Sequence, residues 1–546
     1  MRNDWLGKGK NTCVCLINIL SVGIFGFVSY VLVFDTFREF KTSIFDGMFR
    51  GRYLASDMIP NIFIIIFALL AGIGLRAMFR NRAGGGMEYK KWLIVAAVIL
   101  FVIQGFIAVH IYHYGWTDIV TIRKTADAYA NGVKEEMFYS WYLPQAPNQI
   151  YCYALFIFAY KAADFLGIGD GYVCMIFLNI ILSNLSCVYA SKLVYRFSGK
   201  TELAKGTFVL ASCVIGTSPW IVFPYTDMLS VLIPVLSLYV YMRVREKPIP
   251  GIVKWILISA LPVLFYGLKP TNFIIFIAMA AAELLLSRKD NIYKVISIVI
   301  GAGLVLAASE TINITLEKVV GYRANEDIER DIKWYFLLGS NYDSIGSWNC
   351  EDNDLHSFTL ETKKEKDKTV PQVIRDRYKE MGISGTLRHW MNKTQLFYND
   401  GTFSWGFNGI ASEYPQDDSK ITTFMRNLMW VDGEYSMSKQ RAEGRQYGAY
   451  YRYFVIYQQI VWMVVYTYLG ILILLGNCKD KTIFVLKILW IGLFLFSMLF
   501  ETNARLLLSY LPLFCCMSVM GWQIAAERIK RPVLAGETGR MLVIRR

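Results

Sequence analysis

The chain has 546 residues, of which 55% are hydrophobic and only 18% charged, with a mean hydropathy of +0.36. A water-soluble protein carries about 25% charged residues, so this balance excludes a soluble globular protein and leaves lipid as the solvent for most of the chain. In that setting the net charge of +14 reports orientation in a membrane rather than nucleic-acid binding.

A helix needs about 20 apolar residues to cross the hydrocarbon. Thirteen stretches approach that length: 12–34, 60–80, 92–113, 148–166, 172–195, 206–223, 228–243, 252–268, 272–287, 291–313, 451–474, 482–500 and 505–525. The first follows Arg2, Lys8 and Lys10; it is long for a secretory signal and lacks a small-residue cleavage site, so it is expected to stay as an anchor. Basic residues then mark cytoplasmic loops: Arg76, Arg80, Arg82, Lys90 and Lys91; Arg243, Arg245 and Lys247; Arg288, Lys289 and Lys294; Lys479 and Lys481. The tail is the most basic segment, with Arg528, Lys530, Arg531, Arg540, Arg545 and Arg546. Both termini are therefore expected on the cytoplasmic side. Residues 114–147 and 314–450, and the short turns near 224–227, 268–272 and 501–505, are expected outside. Thirteen crossings cannot return the chain to its starting side, so one stretch between 148 and 223 does not span, and the sequence leaves open which.

The Gly84–Gly86 run follows no strand and reads as a turn rather than a phosphate loop. The 314–450 segment is polar but carries aromatic clusters at 334–336 and 403–407, which predicts a small folded domain rather than a linker. The expected plan is an all-α polytopic membrane protein of 12–13 transmembrane helices. Two helices and a cytoplasmic loop occupy 1–91, a core 92–313, the exterior domain 314–450, and the last helices and basic tail 451–546. Ten cysteines and four histidines form neither a disulfide framework nor a zinc-ligand spacing.

Ionisable groups at membrane depth or its rim are expensive unless paired or facing water, and so are functional candidates. Asp118 follows the third stretch and opens a short surface helix; it reads equally as a general base and as a helix cap. Arg123 and Lys124 follow on the same helix as further cations. Asn148 and Gln149, after Pro144 and Pro147, read as amides for sugar hydroxyls or as a plain turn. Tyr225 and Asp227 stand at the break made by Pro224, where Asp227 orients an acceptor, binds a metal or caps a helix. Lys269 is the only charge in the apolar run from Trp255 to Ala282, on a turn where positive charge is disfavoured. A phosphate would explain it, as would snorkelling to the interface. Glu501 and Arg505 are spaced to pair along a helix, or Arg505 is free to grip a phosphate with its planar fork.

This inventory resembles the GT-C superfamily of integral-membrane glycosyltransferases. The resemblance rests on Asp118 followed by a helix with Ala126 and Ala130, on the "APNQ" start of the next stretch, on the later "YTD", and on Glu501 and Arg505 followed by Leu511 and Pro512. It spans roughly 92–313 and 451–525. It implies a polyprenyl-phosphate sugar donor, inversion at the anomeric carbon, and Asp118 as base; Lys269 and Arg505 are phosphate candidates by their chemistry. Glycans, lipids and protein hydroxyls all remain open as acceptor, and the location implied is a plasma membrane.

Two features depart from the family: the extra spans within 1–91, and the lack of a second acid beside Asp118. No metal or other cofactor is therefore expected from this loop, with Asp227 a ligand in reserve. Three other readings stand beside this one. A lipid-linked-sugar flippase would rest on Glu283 and Glu310, a polysaccharide polymerase or ligase on His356 and His389, and the third is a structural scaffold.

Overall fold

The computed structural model describes residues 2–35, 58–80, 87–115, 118–287, 292–411, 417, 419–432 and 446–535. Arg82, the Gly84–Gly86 turn, Arg288, Lys289, Arg540, Arg545 and Arg546 lie outside these residues. The protein is an all-α polytopic membrane protein. Among the described residues the strands are three two-residue bridges, Ile410–Ala411, Val431–Asp432 and Gln446–Tyr447, the first pair parallel and the second antiparallel.

Eight helices among the described residues are long and apolar enough to cross a membrane: Gly9–Phe34, Tyr89–Ile111, Gly171–Ser198, Thr226–Val244, Ile292–Val320, Tyr451–Leu475, Lys481–Leu499 and Ala504–Arg528. Asn61–Gly72, Gly251–Leu264 and Pro270–Leu285 are shorter apolar helices. The thirteen apolar stretches thus do not all become uninterrupted spans; proline accounts for one interruption and for one gap between neighbouring stretches. The run from Thr201 is α-helical to Ala211, widens into a π-turn at Ser212–Gly216 and tightens into a 3-10 turn at Pro219–Val222. Pro270 separates Gly251–Leu264 from Phe273–Leu285. In both places the ring removes a donor and blocks the preceding turn.

The stretch that does not span is identified by its ends. Ile150–Phe165 has only 16 residues. Before it, Gln149 donates to the Tyr225 hydroxyl at 2.7 Å. After it, Asp170 accepts from Tyr112 and Tyr114 at 2.6 and 2.8 Å, and the neighbouring Tyr172 hydroxyl donates to the Val222 carbonyl at 3.2 Å. Tyr225 and Val222 flank the same break, so the helix begins and ends at one end of the bundle. Asp118–Ala130 packs against it there. The opposite end is tied by ion pairs: Arg196 with Glu246 at 2.5 Å, Lys200 with Glu527 at 3.0 Å, and Glu283 with Lys481 at 2.9 Å.

Among the described residues the first two helices, Gly9–Phe34 and Asn61–Arg80, belong to this bundle. Asn61, 1% exposed, donates to the Leu32 carbonyl at 2.9 Å and to Asn399 at 2.7 Å, while Gln459 donates to Asn61 at 2.9 Å. Buried amides are tolerated only when satisfied. Asn61→Leu is therefore expected to cost about 1–3 kcal/mol through the partners it orphans, seen as a lower unfolding midpoint in lipid. The 314–450 segment likewise shares its core with the spans. Lys363–Tyr398, kinked at Gly382, ends in Phe397 and Tyr398, which join one buried cluster with Phe403, Trp405, Trp462 and Trp490.

Candidate functional site

Three helix breaks meet at one end of the bundle. The first is Thr226–Leu229, after Pro224; the second is Pro270–Asn272; the third runs from Glu501 into the 3-10 helix Ala504–Tyr510. Ser509 donates to the Asp227 carbonyl at 3.1 Å, and Tyr510 to the Thr271 carbonyl at 2.5 Å. Carbonyls at the first two breaks are thus taken up by side chains of the third, as buried polar backbone requires.

This stitching places charges side by side. Lys269 precedes a proline and is extended, φ −154° and ψ 110°, as such a residue should be. Its ammonium pairs with the Asp227 carboxylate, and Arg505 Nε lies 3.7 Å from the other Asp227 oxygen. Lys269 is 4% exposed and Asp227 2%, so the lysine is held inside rather than snorkelling. One carboxylate shared by two cations leaves this trio with net positive charge when all three are ionised. Burial, and behind it the Arg505 guanidinium, push the Lys269 ammonium below its ordinary pKa, while Glu501 pulls it back.

Asp118 stands beside the trio. It is the first residue of Asp118–Ala130, where the helix N-terminus favours a carboxylate. The Tyr225 hydroxyl donates to Asp118 Oδ2 at 3.0 Å while accepting from Gln149 Nε2 at 2.7 Å. The Tyr225 ring also lies under the Arg505 guanidinium, 5.2 Å from its centroid, so one tyrosine joins the carboxylate to the cations. Burial, then the charge on Asp118, hold the Tyr142 and Tyr225 hydroxyls far above the usual phenol range. Both stay protonated and can donate.

Glu501 completes the cluster. Its carboxyl is pushed up by burial, pulled down by Arg505, and pushed up again by Asp118, with Arg330 and Lys393 adding downward pulls. Of the two readings open for Glu501 and Arg505, the helical pair is not formed. The chain between them is non-helical up to Asn503, whose side chain caps the 3-10 helix through the Arg505 amide at 3.2 Å, and Arg505 turns to Asp227.

Asn148 lies next to this group, its side chain near enough to the Tyr335 hydroxyl to influence it. Arg123 and Lys124 do not join it. At 3.6 residues per turn they project about 140° and 120° away from Asp118 around the helix; Arg123 lies over the Tyr114 ring, 4.2 Å from its centroid, and Lys124 is exposed. Three residues that the sequence did not single out do join: Tyr142, Tyr335 and Arg330. Arg330 donates to Asn353 at 2.6 Å and from its amide to the Gln145 carbonyl at 2.9 Å.

The other expected groups lie elsewhere. His356 and His389 are buried and pushed down to about 4, hence neutral near pH 7. Glu283 is bound by Lys481 and Tyr241 at the basic end. A polar cleft of about 360 Å³ on the 314–450 segment includes Asn341, Tyr342 and Arg377 in its lining, but Arg377 is committed to Asp352 at 2.5 Å. Among the described residues no three His, Cys, Asp or Glu side chains converge as a metal-binding group.

A family described as conserved hypothetical integral membrane protein matches residues 52–526. The chain belongs to that family. No curated protein and no solved structure matches it. The matched region contains every residue of the cluster, from Asp118 to Arg505, and the helix Asn61–Arg80.

Proposed function

We propose that this protein is a membrane glycosyltransferase of the GT-C type, moving a sugar from a polyprenyl-phosphate donor to a hydroxyl acceptor on the extracytoplasmic face. The observation that carries the reading is Asp118, held by the Tyr225 hydroxyl beside the Asp227–Lys269–Arg505 trio. In this reading Asp118 takes the proton of the acceptor hydroxyl as its oxygen attacks the anomeric carbon. The bond from that carbon to the phosphate oxygen breaks with inversion, and polyprenyl phosphate leaves. Lys269 and Arg505 meet the charge that develops on the leaving phosphate, the kind of preorganised electrostatics worth most in a dry site. The apolar spans accommodate the lipid tail, and no metal is assigned a role.

The topology suits this assignment. With Ile150–Phe165 taken as non-spanning, the other twelve apolar stretches of the sequence would give an even number of crossings and return the chain to its starting side. In this reading the basic loops favour both termini in the cytoplasm and the cluster outside, on a plasma membrane. A flippase should instead carry charges near the bilayer midplane in interrupted helices, whereas Glu283 is tied to lysines at the basic end.

The test is release of labelled sugar from a panel of polyprenyl-phosphate donors by purified protein in lipid. Transfer by the parent, lost in Asp118→Asn, supports the reading. No transfer with any donor, alongside lipid-phosphate binding that survives Asp118→Asn, would turn it toward transport. Tyr225→Phe removes the hydroxyl shared by Gln149 and Asp118. It is expected to slow transfer about tenfold, the worth of about one net hydrogen bond, with donor affinity unchanged in a binding titration.

A further inference from the structure

Lys393 is fully buried and is bound by main chain. Its ammonium donates to the carbonyls of Gly339 at 2.8 Å, Met498 at 2.8 Å and Phe500 at 2.9 Å. Gly339 lies in the last turn of Ile332–Ser340, and Met498 in the last turn of Lys481–Leu499. The cation therefore sits where two helices end in carbonyls left over by the helical ladder and in partial negative charge, with His389 Nε2 also at 2.9 Å from the Gly339 carbonyl. The loop beyond Gly339 closes over it. Gly346 has φ +74°, and a Cβ there would stand 2.8 Å from Lys393 Cε; its carbonyl accepts from the Thr502 amide at 2.8 Å, and Ser347 Oγ donates to the Thr502 carbonyl at 2.8 Å. Residues 339–347 and 498–502 are thus joined around one ammonium, and Glu501 lies within the joined turn.

We propose that Lys393 is a positioning residue for the candidate site: its ammonium locks the turn that presents Glu501 toward Asp118 and Arg505. The hold of Lys393 on the turn that carries Glu501 stands on its three carbonyl contacts, and only the kinetic readout rests on the glycosyl-transfer reading. The charged groups facing Glu501 are Arg505, Asp118, Arg330 and Lys393, with Lys269 and the Tyr335 hydroxyl also in its field. Burial and Asp118 favour the neutral acid; the cations favour the carboxylate. Burial draws Lys393 itself down to about 7, against the pull of Glu501. Taking the ammonium away both frees the turn and removes one of the charges that keep Glu501 ionised.

Dicyclohexylcarbodiimide, which reacts with protonated carboxyls in apolar surroundings, reports on Glu501 without any need for activity. The label on the Glu501 peptide would be followed by mass spectrometry across pH in the full-length protein in lipid. Lys393→Met is expected to move the labelling midpoint to higher pH. Lys393→Gln, which keeps two donors for the carbonyls, is expected to move it the same way and serves if the methionine variant does not fold. In the transfer assay either variant is expected to lower kcat about tenfold with KM for the donor little changed, as a misplaced site group should. An unchanged midpoint in a folded variant overturns the proposal, as does a parent whose Glu501 takes no label at any pH. Unfolding of both variants would overturn it too, by assigning Lys393 to the fold alone. A shifted midpoint in a protein that transfers no sugar keeps Lys393 in its role and removes the glycosyl-transfer reading instead.

Discussion

Asp118→Asn is expected to lower sugar transfer about 10³-fold while leaving donor binding and the unfolding midpoint near those of the parent. The amide has nearly the carboxylate's shape and still accepts from Tyr225, so the hydrogen bond at 3.0 Å is kept and only basicity is lost. General-base assistance is worth about 10²–10⁴; the rest of the rate comes from holding donor and acceptor together. Single-turnover transfer with a saturating donor separates the two terms. A loss confined to KM would mean that Asp118 binds substrate and does not move the proton. A fall in melting midpoint matching the rate loss would assign it to the helix N-terminus instead.

Lys269→Ala is expected to cost both stability and phosphate binding. Removing one member of a buried ion pair leaves the other uncompensated, at about 3–5 kcal/mol, and Asp227 is only 2% exposed. Arg505, with Nε at 3.7 Å, offsets part of that cost. The double variant Lys269→Met with Asp227→Asn removes both charges and is expected to recover most of the stability, since buried pairs contribute little net. Its affinity for polyprenyl phosphate should stay low. Thermal unfolding in lipid and a polyprenyl-phosphate titration on both variants check this. Recovery of binding together with stability would show that the lysine serves the fold rather than a phosphate.

The candidate site was legible in the sequence where charge interrupts apolar surroundings. Lys269 stands alone between Trp255 and Ala282, Asp227 follows a proline break, and Glu501 and Arg505 separate two apolar runs; burial in lipid makes each conspicuous. Arg330, Tyr335 and Tyr142 were not legible for the opposite reason. They come from polar segments where arginine and tyrosine are ordinary, and long-range folding alone brings them to Asp118. Arg123 shows a third case: proximity along the chain to Asp118 does not survive the helical period. The sequence also left the non-spanning stretch open, because Ile150–Phe165 is as apolar as its neighbours. Only the contacts of Gln149 and Asp170 at its two ends distinguish it.

The order of the trio along the chain bears on biosynthesis. Asp227 and Lys269 belong to consecutive passes and are made long before Arg505, which arrives just before the last helix. During insertion the lysine and aspartate enter as a neutral couple, which spares the membrane the cost of an isolated charge. The surplus positive charge appears only when the final hairpin docks and Ser509 reaches the Asp227 carbonyl at 3.1 Å. A chain truncated before residue 501 would therefore insert most of its helices without this surplus charge, which the fold acquires only at the end of its own assembly.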